Sequence, residues 1–171
     1  MISKEELIKR LREGNITSDL KGVDLSGANL SGVDLIGANL QGANLRGANL
    51  YKAFLIGANL TDAKLNSAYL INTNLSGADL TNANLGNAYL IGADLISVNL
   101  TGVNLSEADL TNANLSGVKL NGAYLIRTNL TGVNLSEADL TNANLFHANL
   151  DGTNLRGAVL TDANFTGTIL A

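Results

Sequence analysis

The sequence predicts an all-β solenoid, because it repeats every five residues over almost its whole length. Leucine occupies every fifth position from Leu20 to Leu170, with Phe165 as the one exception. The residue two places before each of these positions, from Val23 to Thr168, is always alanine, valine or threonine. A period of five fits neither the 3.6-residue period of a helix nor the two-residue period of a plain strand. A fixed short period over most of a chain is typical of repeat architectures.

Residues 1–15 precede the repeat and are predicted to form an N-terminal cap, with a helix over residues 4–13. Ser3 and Glu6 have the spacing of a capping box at a helix start, and Gly14 is a typical stop. The end of a solenoid exposes unpaired strand edges, so a helix that covers this end is expected. The apolar side of the helix is formed by Leu7, Ile8 and Leu11.

Four of the eleven cations lie in this predicted helix. They could form a basic contact surface, or they could be the solvated side of a cap helix, which is the more common situation. These cations are Lys4, Lys9, Arg10 and Arg12.

The repeat, residues 16–171, is predicted to form a single domain in which each five-residue unit is one short strand and one turn. Extended side chains alternate, so the leucine and the small residue two places before it point to the same side. The residue between them, usually asparagine or aspartate, points outward. The second residue after the leucine is mostly glycine or asparagine. These residues tolerate the positive φ of a type II turn, which predicts a turn at every corner.

The five-residue units resemble the pentapeptide repeat family, whose motif is A(D/N)LXX. Residues 28–32 (ANLSG) and 43–47 (ANLRG) are two of the many close matches. The resemblance implies a right-handed quadrilateral β-helix with four pentapeptides, or 20 residues, in each coil. Residues 16–171 would then fill about eight coils.

The inward small position carries threonine at four places in the repeat. A buried hydroxyl needs a hydrogen-bond partner, so we expect each of these hydroxyls to bond to nearby backbone. The four residues are Thr73, Thr128, Thr153 and Thr168.

Composition limits the classes of function. The 171-residue chain has 15 acidic and 11 basic residues, a net charge of −4, and no cysteine. Without cysteine there is no disulfide and no thiolate metal site. A mildly acidic chain is expected to bind neither nucleic acid nor an anionic membrane. No apolar run approaches the ~20 residues of a membrane span, so a cytoplasmic protein is expected.

No enzymatic site, cofactor site or metal site is predicted. The single histidine, His147, would align with Arg127 and Glu107 if residues 20 apart stack in columns. An acid, a cation and an imidazole in line could transfer protons, but no nucleophile or closed pocket accompanies them. The regularly spaced glycines are turn residues, and one histidine with scattered carboxylates is too few ligands for a metal.

Large apolar residues gather at outward positions in the N-terminal half, and we call this set the apolar patch. In 20-residue columns they form one surface around a corner of the solenoid. Such a surface on a monomer often marks a partner site, although stacking of these side chains could also stabilise the rod. The apolar patch comprises Ile36, Tyr51, Phe54, Ile56, Tyr69, Ile71, Tyr89, Ile91 and Ile96.

The last coil carries apolar residues at its open edge. Phe165, Ile169 and Leu170 could contact the same coil of a second copy, which would give an end-to-end dimer with two-fold symmetry. Alternatively, Phe165 closes the end by itself.

These observations predict a non-catalytic structural and protein-interaction module, a rigid rod that docks an unidentified partner protein. One alternative, implied by a branch of the family, is a mimic of duplex DNA that binds DNA gyrase. Such a mimic needs strong negative charge, whereas the repeat has 12 acids and seven cations. A remoter alternative is an ice-binding solenoid, suggested by a threonine column that Asn121 interrupts. The column contains Thr61, Thr81, Thr101, Thr141 and Thr161.

Overall fold

The computed structural model describes residues 3–14 and 19–169, which form one helix followed by a stack of coils. Helix α1 spans Lys4–Arg12. The coils are joined by isolated parallel β-bridges, each between a residue and the residue 20 positions later. The bridges begin with Asp19 and Asn39 and end with Asn149 and Ile169. They recur every five residues, so each coil has four bridged sides, and the 20-residue coil implied by the resemblance is confirmed.

Each side of a coil contributes a single bridged residue rather than the short strand that alternation predicted. The hydrogen bonds nevertheless follow a parallel pattern: Leu30 N–H donates to Asn49 O at 2.7 Å, and Asn49 N–H donates to Ala28 O at 2.9 Å. Gly32 N–H donates to Tyr51 O at 2.9 Å. A turn follows every leucine. Each side is therefore so short that only the residue before the leucine is bridged to the coils on either side of it.

The corners have the backbone that a type II turn requires. Ala28 N–H donates to Leu25 O at 3.0 Å across the turn, and Gly27 has a φ of 64°. The second turn residue has positive φ at every corner from Gly22 to Gly167. The sequence pattern predicted this for glycine and asparagine, but lysine, arginine, glutamate, serine and histidine adopt it too.

The asparagine or aspartate of each unit has a defined structural role. Asn74 Oδ1 accepts from the Ser76 backbone N–H at 3.0 Å, which is the one N–H of the unit 73–77 that the ladder and the turn leave free. The amide nitrogen can also link coils, as when Asn44 Nδ2 donates to Asp24 Oδ1 at 3.0 Å. The side chain therefore completes the hydrogen bonding of its own turn.

The core is a column of leucines and small residues along the inside of the coils. From Leu20 to Leu150 every leucine of the repeat is at most 3% exposed. Each buried leucine contributes roughly 1.5–3 kcal/mol, so the narrow interior can stabilise a rod. The expected threonine bonds to backbone are confirmed. Thr73, Thr128, Thr153 and Thr168 donate to the carbonyls of Leu50, Leu105, Leu130 and Phe165 at 2.7–3.0 Å.

Helix α1 packs on the first coils through Leu11, which is 1% exposed. Lys4 Nζ donates to Ser26 O at 2.6 Å and lies 3.9 Å from Asp24 Oδ1, which fastens the helix start to the solenoid. No helix in the described part of the chain is long and apolar enough to span a membrane.

The two ends of α1 follow the prediction only in part. Ser3 Oγ accepts from Glu6 N–H at 3.2 Å, as in a capping box. The Glu6 carboxylate, however, accepts from Arg10 Nε at 2.8 Å, and this hydrogen bond lowers the pKa of Glu6. An i,i+4 ion pair thus occupies the group that a reciprocal box would use. The helix ends at Arg12, before Gly14 at a φ of 73°, and the predicted domain boundary at residues 15–16 lies outside the described residues.

A candidate interaction surface on two adjacent walls

The outward residues form four walls, which we number in chain order starting with the wall of Asn29. Wall 1 carries Asn29, Asn49, Tyr69, Tyr89 and Asp109, and wall 2 carries Asp34, Phe54, Asn74 and Asp94. Wall 3, opposite wall 1, carries Asn59, Asp79, Asn99 and Lys119, and wall 4 carries Asn44, Lys64 and Asn84. The four walls meet at the turn residues, which form their own columns.

The apolar patch lies where the sequence columns predicted it, on walls 1 and 2 and at the corners that border wall 2. Its first and last members, in the corner column between walls 2 and 3, are exposed, with Ile36 at 55% and Ile96 at 38%. Tyr51, Phe54, Ile56, Tyr69 and Tyr89 are also exposed, whereas Ile71 and Ile91 are half-buried.

Tyr69 and Tyr89 are the two members of the apolar patch that lie on wall 1. Their rings are stacked, with centroids 5.2 Å apart and planes 10° apart. At the adjoining corner, Lys52 Nζ lies 5.1 Å from the centroid of the Tyr51 ring. The aromatic faces are therefore ordered by their neighbours in the solenoid, which reduces the side-chain entropy lost when a partner binds.

The patch also interrupts the hydrogen bonding of the turns. At Asn49 the side chain accepts from the Tyr51 N–H at 3.0 Å. Where an aromatic residue replaces the asparagine, this acceptor is missing. Within the described residues the backbone N–H groups of Ile56, Ile71 and Ile91, which follow Phe54, Tyr69 and Tyr89, have no protein acceptor. The sequence carries this signal as an aromatic residue followed two places later by isoleucine.

The line of His147, Arg127 and Glu107 does not form one cluster. Arg127 Nη1 lies 3.9 Å from Glu107 Oε1. The His147 ring instead turns to the next coil, with Nδ1 3.2 Å from Gly167 O. It also packs edge-on against the Phe146 ring, with the two ring centroids 4.1 Å apart. Within residues 3–14 and 19–169, no three histidine, aspartate or glutamate side chains converge as metal ligands.

Four of the five threonines of the column use their hydroxyl groups internally. Thr81 Oγ1 donates to Asp79 Oδ1 at 2.6 Å, and Thr101 Oγ1 donates to Asn99 Oδ1 at 2.7 Å. Thr61 and Thr141 make the same bond to the residue two places earlier. These hydroxyl protons are already committed to the solenoid's own turns.

The residues predicted to contact a second copy end to end lie in the last described coil. Phe165 is half-buried against the core, and Ile169 is 57% exposed. Leu170 lies outside the described residues. The open edge of this coil also exposes Val159 and Leu160.

Comparisons with known proteins agree with this architecture. The family profile described as pentapeptide repeats matches residues 18–55, 38–77, 73–112, 108–145 and 138–171. A comparison with curated proteins gives no match.

Several solved structures are similar to this chain. HetL, a pentapeptide repeat protein involved in heterocyst differentiation regulation in the cyanobacterium Nostoc sp. strain PCC 7120, is 36% identical. The match covers 89% of this chain and 80% of HetL, with a TM-score of 0.35. A pentapeptide repeat protein of the Arabidopsis thaliana thylakoid lumen is 31% identical, covering 77% of this chain and 71% of that one, with a TM-score of 0.28.

QnrB1, a plasmid-mediated fluoroquinolone resistance protein, is 18% identical. The match covers 90% of this chain and 91% of QnrB1, with a TM-score of 0.50, so this likeness concerns the fold alone. Together, the five-residue repeat, the 20-residue coils and the family match over residues 18–171 show that this chain belongs to the pentapeptide repeat family, whose fold is the right-handed quadrilateral β-helix.

Proposed function

We propose that this protein is a non-catalytic interaction module, a rigid rod that docks a partner protein on the apolar patch. The observation that carries the proposal is the exposure of seven large apolar side chains on walls 1 and 2 and at the corners that border wall 2, among them the stacked Tyr69 and Tyr89. Exposed tyrosine and isoleucine side chains on a preformed surface are typical of protein interfaces.

The alternative role for the patch is stabilisation of the rod, and the hydrogen bonding argues against it. Tyr69 and Tyr89 gain a stacking contact of about 0.5–1.5 kcal/mol. Each replaces an amide acceptor that other units use for an internal hydrogen bond of similar value. The rod thus gains little from the exchange and exposes apolar surface, which a partner would cover.

The relatives are compatible with a binding role without identifying the partner. HetL is described as involved in the regulation of differentiation, which fits a protein that acts through contacts. The only support for the gyrase-binding alternative is the fold that this chain shares with QnrB1, a fluoroquinolone resistance protein. Against it, cations interrupt the acidic surface, and asparagine rather than aspartate predominates on the walls. An unchanged supercoiling activity of gyrase in the presence of this protein would exclude that alternative.

The docking proposal is tested by affinity capture from the source cells with the wild type and a patch variant as baits. The variant replaces four outward turn residues, which leaves the leucine core and the coil-to-coil bonds intact. We expect the variant to lose the proteins that the wild type retains. Its substitutions are Tyr51→Ser, Ile71→Ser, Ile91→Ser and Ile96→Ser.

A matched control changes turn residues at the corner between walls 3 and 4, away from the patch. It should retain the same proteins as the wild type, and circular dichroism should show that all three baits are folded. Equal recovery by the folded patch variant would contradict the proposal. The control substitutions are Gln41→Ser, Thr81→Ser, Thr101→Ser and Thr141→Ser.

A further inference from the structure

Wall 1 carries charges of opposite sign on the two sides of its two tyrosines. Four successive rows of seven residues, each including its flanking turn residues, cross this wall at 20-residue intervals. The first row carries two cations and no acid, the second and third carry no charge, and the fourth carries two acids and no cation. The rows are RGANLYK (46–52), NSAYLIN (66–72), GNAYLIG (86–92) and SEADLTN (106–112).

Within one chain, the charges of the two outer rows are far apart. Neighbouring coils are ~4.8 Å apart, so three steps separate these rows by about 14 Å. That separation exceeds the Debye length of ~8 Å at physiological ionic strength, so the two groups scarcely attract each other. Arg46, Lys52 and Glu107 are all exposed. Each also contacts a residue of its own chain, namely Asn66, Tyr51 and Arg127 respectively, with which a second copy would have to compete.

A two-fold axis converts this pattern into complementarity. Let the axis lie in the plane of wall 1, along the chain direction of the rows, and pass midway between Tyr69 and Tyr89. It turns the second copy upside down and keeps each column facing its own equivalent. Row 46–52 then faces row 106–112 of the second copy, and row 66–72 faces row 86–92.

The facing rows match in chemistry, and each cation faces an uncharged residue of the acidic row rather than an acid. Ile71 meets Ile91 of the second copy, and Tyr69 meets Tyr89 of the second copy, so the uncharged rows form an apolar centre. Arg46 and Lys52 meet the row that holds Glu107 and Asp109, and symmetry repeats this contact at the other end. An apolar aromatic centre flanked by opposite charges is the usual organisation of a specific interface.

We propose that the occupant of wall 1 is a second copy of this chain, bound side by side and antiparallel. The proposal rests on the proposed function, because it names a partner for the apolar patch. An isologous contact of this kind is closed and stops at the dimer. It covers the patch on wall 1 and leaves Phe54, on wall 2, and Ile36 and Ile96, at the corner beyond it, open to a different protein.

The test uses two charge variants of the full chain and sedimentation velocity. The cation variant carries Arg46→Glu and Lys52→Glu, and glutamate is already found at positive φ at Glu107 and Glu137. The acid variant carries Glu107→Arg and Asp109→Asn, where asparagine keeps the acceptor that Asp109 offers to Thr111 N–H. We expect the wild type to dimerise and each variant alone to be at least tenfold weaker in self-association.

Mixing the two variants is the decisive step. In a mixed pair, the acidic rows of one chain face the basic rows of the other at both ends, so a heterodimer should form again. Recovery on mixing also shows that neither variant is simply misfolded. A matched control, Lys21→Glu with Lys119→Glu, makes a similar charge change on and beside the opposite wall and should dimerise like the wild type.

Three outcomes would overturn the inference. They are a monomeric wild type, dimers that survive both charge changes, as an end-to-end contact through Phe165 and Ile169 would, and variants that stay monomeric on mixing. A monomeric wild type that still captures a cellular protein through the patch would leave the proposed function standing while the second copy is excluded as its partner.

Discussion

Charged and bulky residues at the second turn position adopt the same left-handed backbone as glycine does. Glu107 and Arg127 have φ values of 60° and 54°, and their N–H groups donate to Ile126 O and Phe146 O at 2.9 Å. A left-handed backbone costs a residue with a Cβ roughly 1–2 kcal/mol. Because the ladder bond on the next coil requires this conformation, the stack imposes it on whatever residue is present. The preference of glycine and asparagine for positive φ could not predict that charged and bulky residues adopt it as well.

The leucine core gives a prediction at the scale of one residue. Leu90 is fully buried in the middle of the stack, and Leu90→Asp would place a carboxylate among apolar side chains without a partner. The cost of several kcal/mol is comparable to the whole stability of a domain, so we expect the chain to be unfolded by circular dichroism. Asn84→Asp is the control, because an outward aspartate keeps the acceptor for Gly86 N–H and should leave the melting curve nearly unchanged. A wild-type melting curve for Leu90→Asp would contradict the core assignment.

The outward asparagines show what the sequence pattern alone could and could not reveal. Alternation predicted that they point outward, and the structure adds that they serve as acceptors for the N–H two residues on. The missing acceptor at Tyr69 and Tyr89 follows only once that role is known. An aromatic residue on a wall thus differs from an aromatic residue exposed elsewhere, because it removes the acceptor for the N–H two residues on.

At the scale of elements, the cap helix was predictable because its signals are local. The Ser3 cap, the spacing of the leucines and Gly14 placed a helix over residues 4–13, and the structure has it at Lys4–Arg12. The contacts of Lys4 with Ser26 and of Leu11 with the core depend on how the chain returns over the first coils. Such long-range contacts leave no trace in the local pattern.

Loss of the cap's buried side chain should weaken the N-terminal coils. Leu11→Ala leaves a cavity between α1 and the solenoid, and a buried leucine replaced by alanine typically costs about 2–5 kcal/mol. We expect a lower urea midpoint and faster hydrogen exchange in the coils nearest α1. Arg12→Ala, an exposed neighbour, should change neither, and equal behaviour of the two variants would show that the helix does not stabilise the stack.

At the scale of the whole molecule, the 20-residue coil converts a one-dimensional repeat into a surface with columns. Period five alone fixes neither the number of sides nor the register, which the bridges between residues 20 apart establish. Once the register is known, residues as distant in sequence as Arg46 and Asp109 share one wall. The apolar patch was predictable from the implied columns, whereas the opposite charges on the two sides of its tyrosines become visible when whole rows, including both corners, are compared.

The central claim is that the apolar patch serves binding and not the stability of the rod. The most direct test is the unfolding free energy of the double variant Tyr69→Asn and Tyr89→Asn, measured in urea at a concentration where the wild type is monomeric. The asparagines restore acceptors for Ile71 and Ile91 N–H, worth about 0.5–1.5 kcal/mol each, and so offset the lost stacking of Tyr69 on Tyr89. We predict a value within about 1 kcal/mol of the wild type, together with lost association. A decrease of more than about 3 kcal/mol with association retained would assign the patch to the stability of the solenoid and contradict the account.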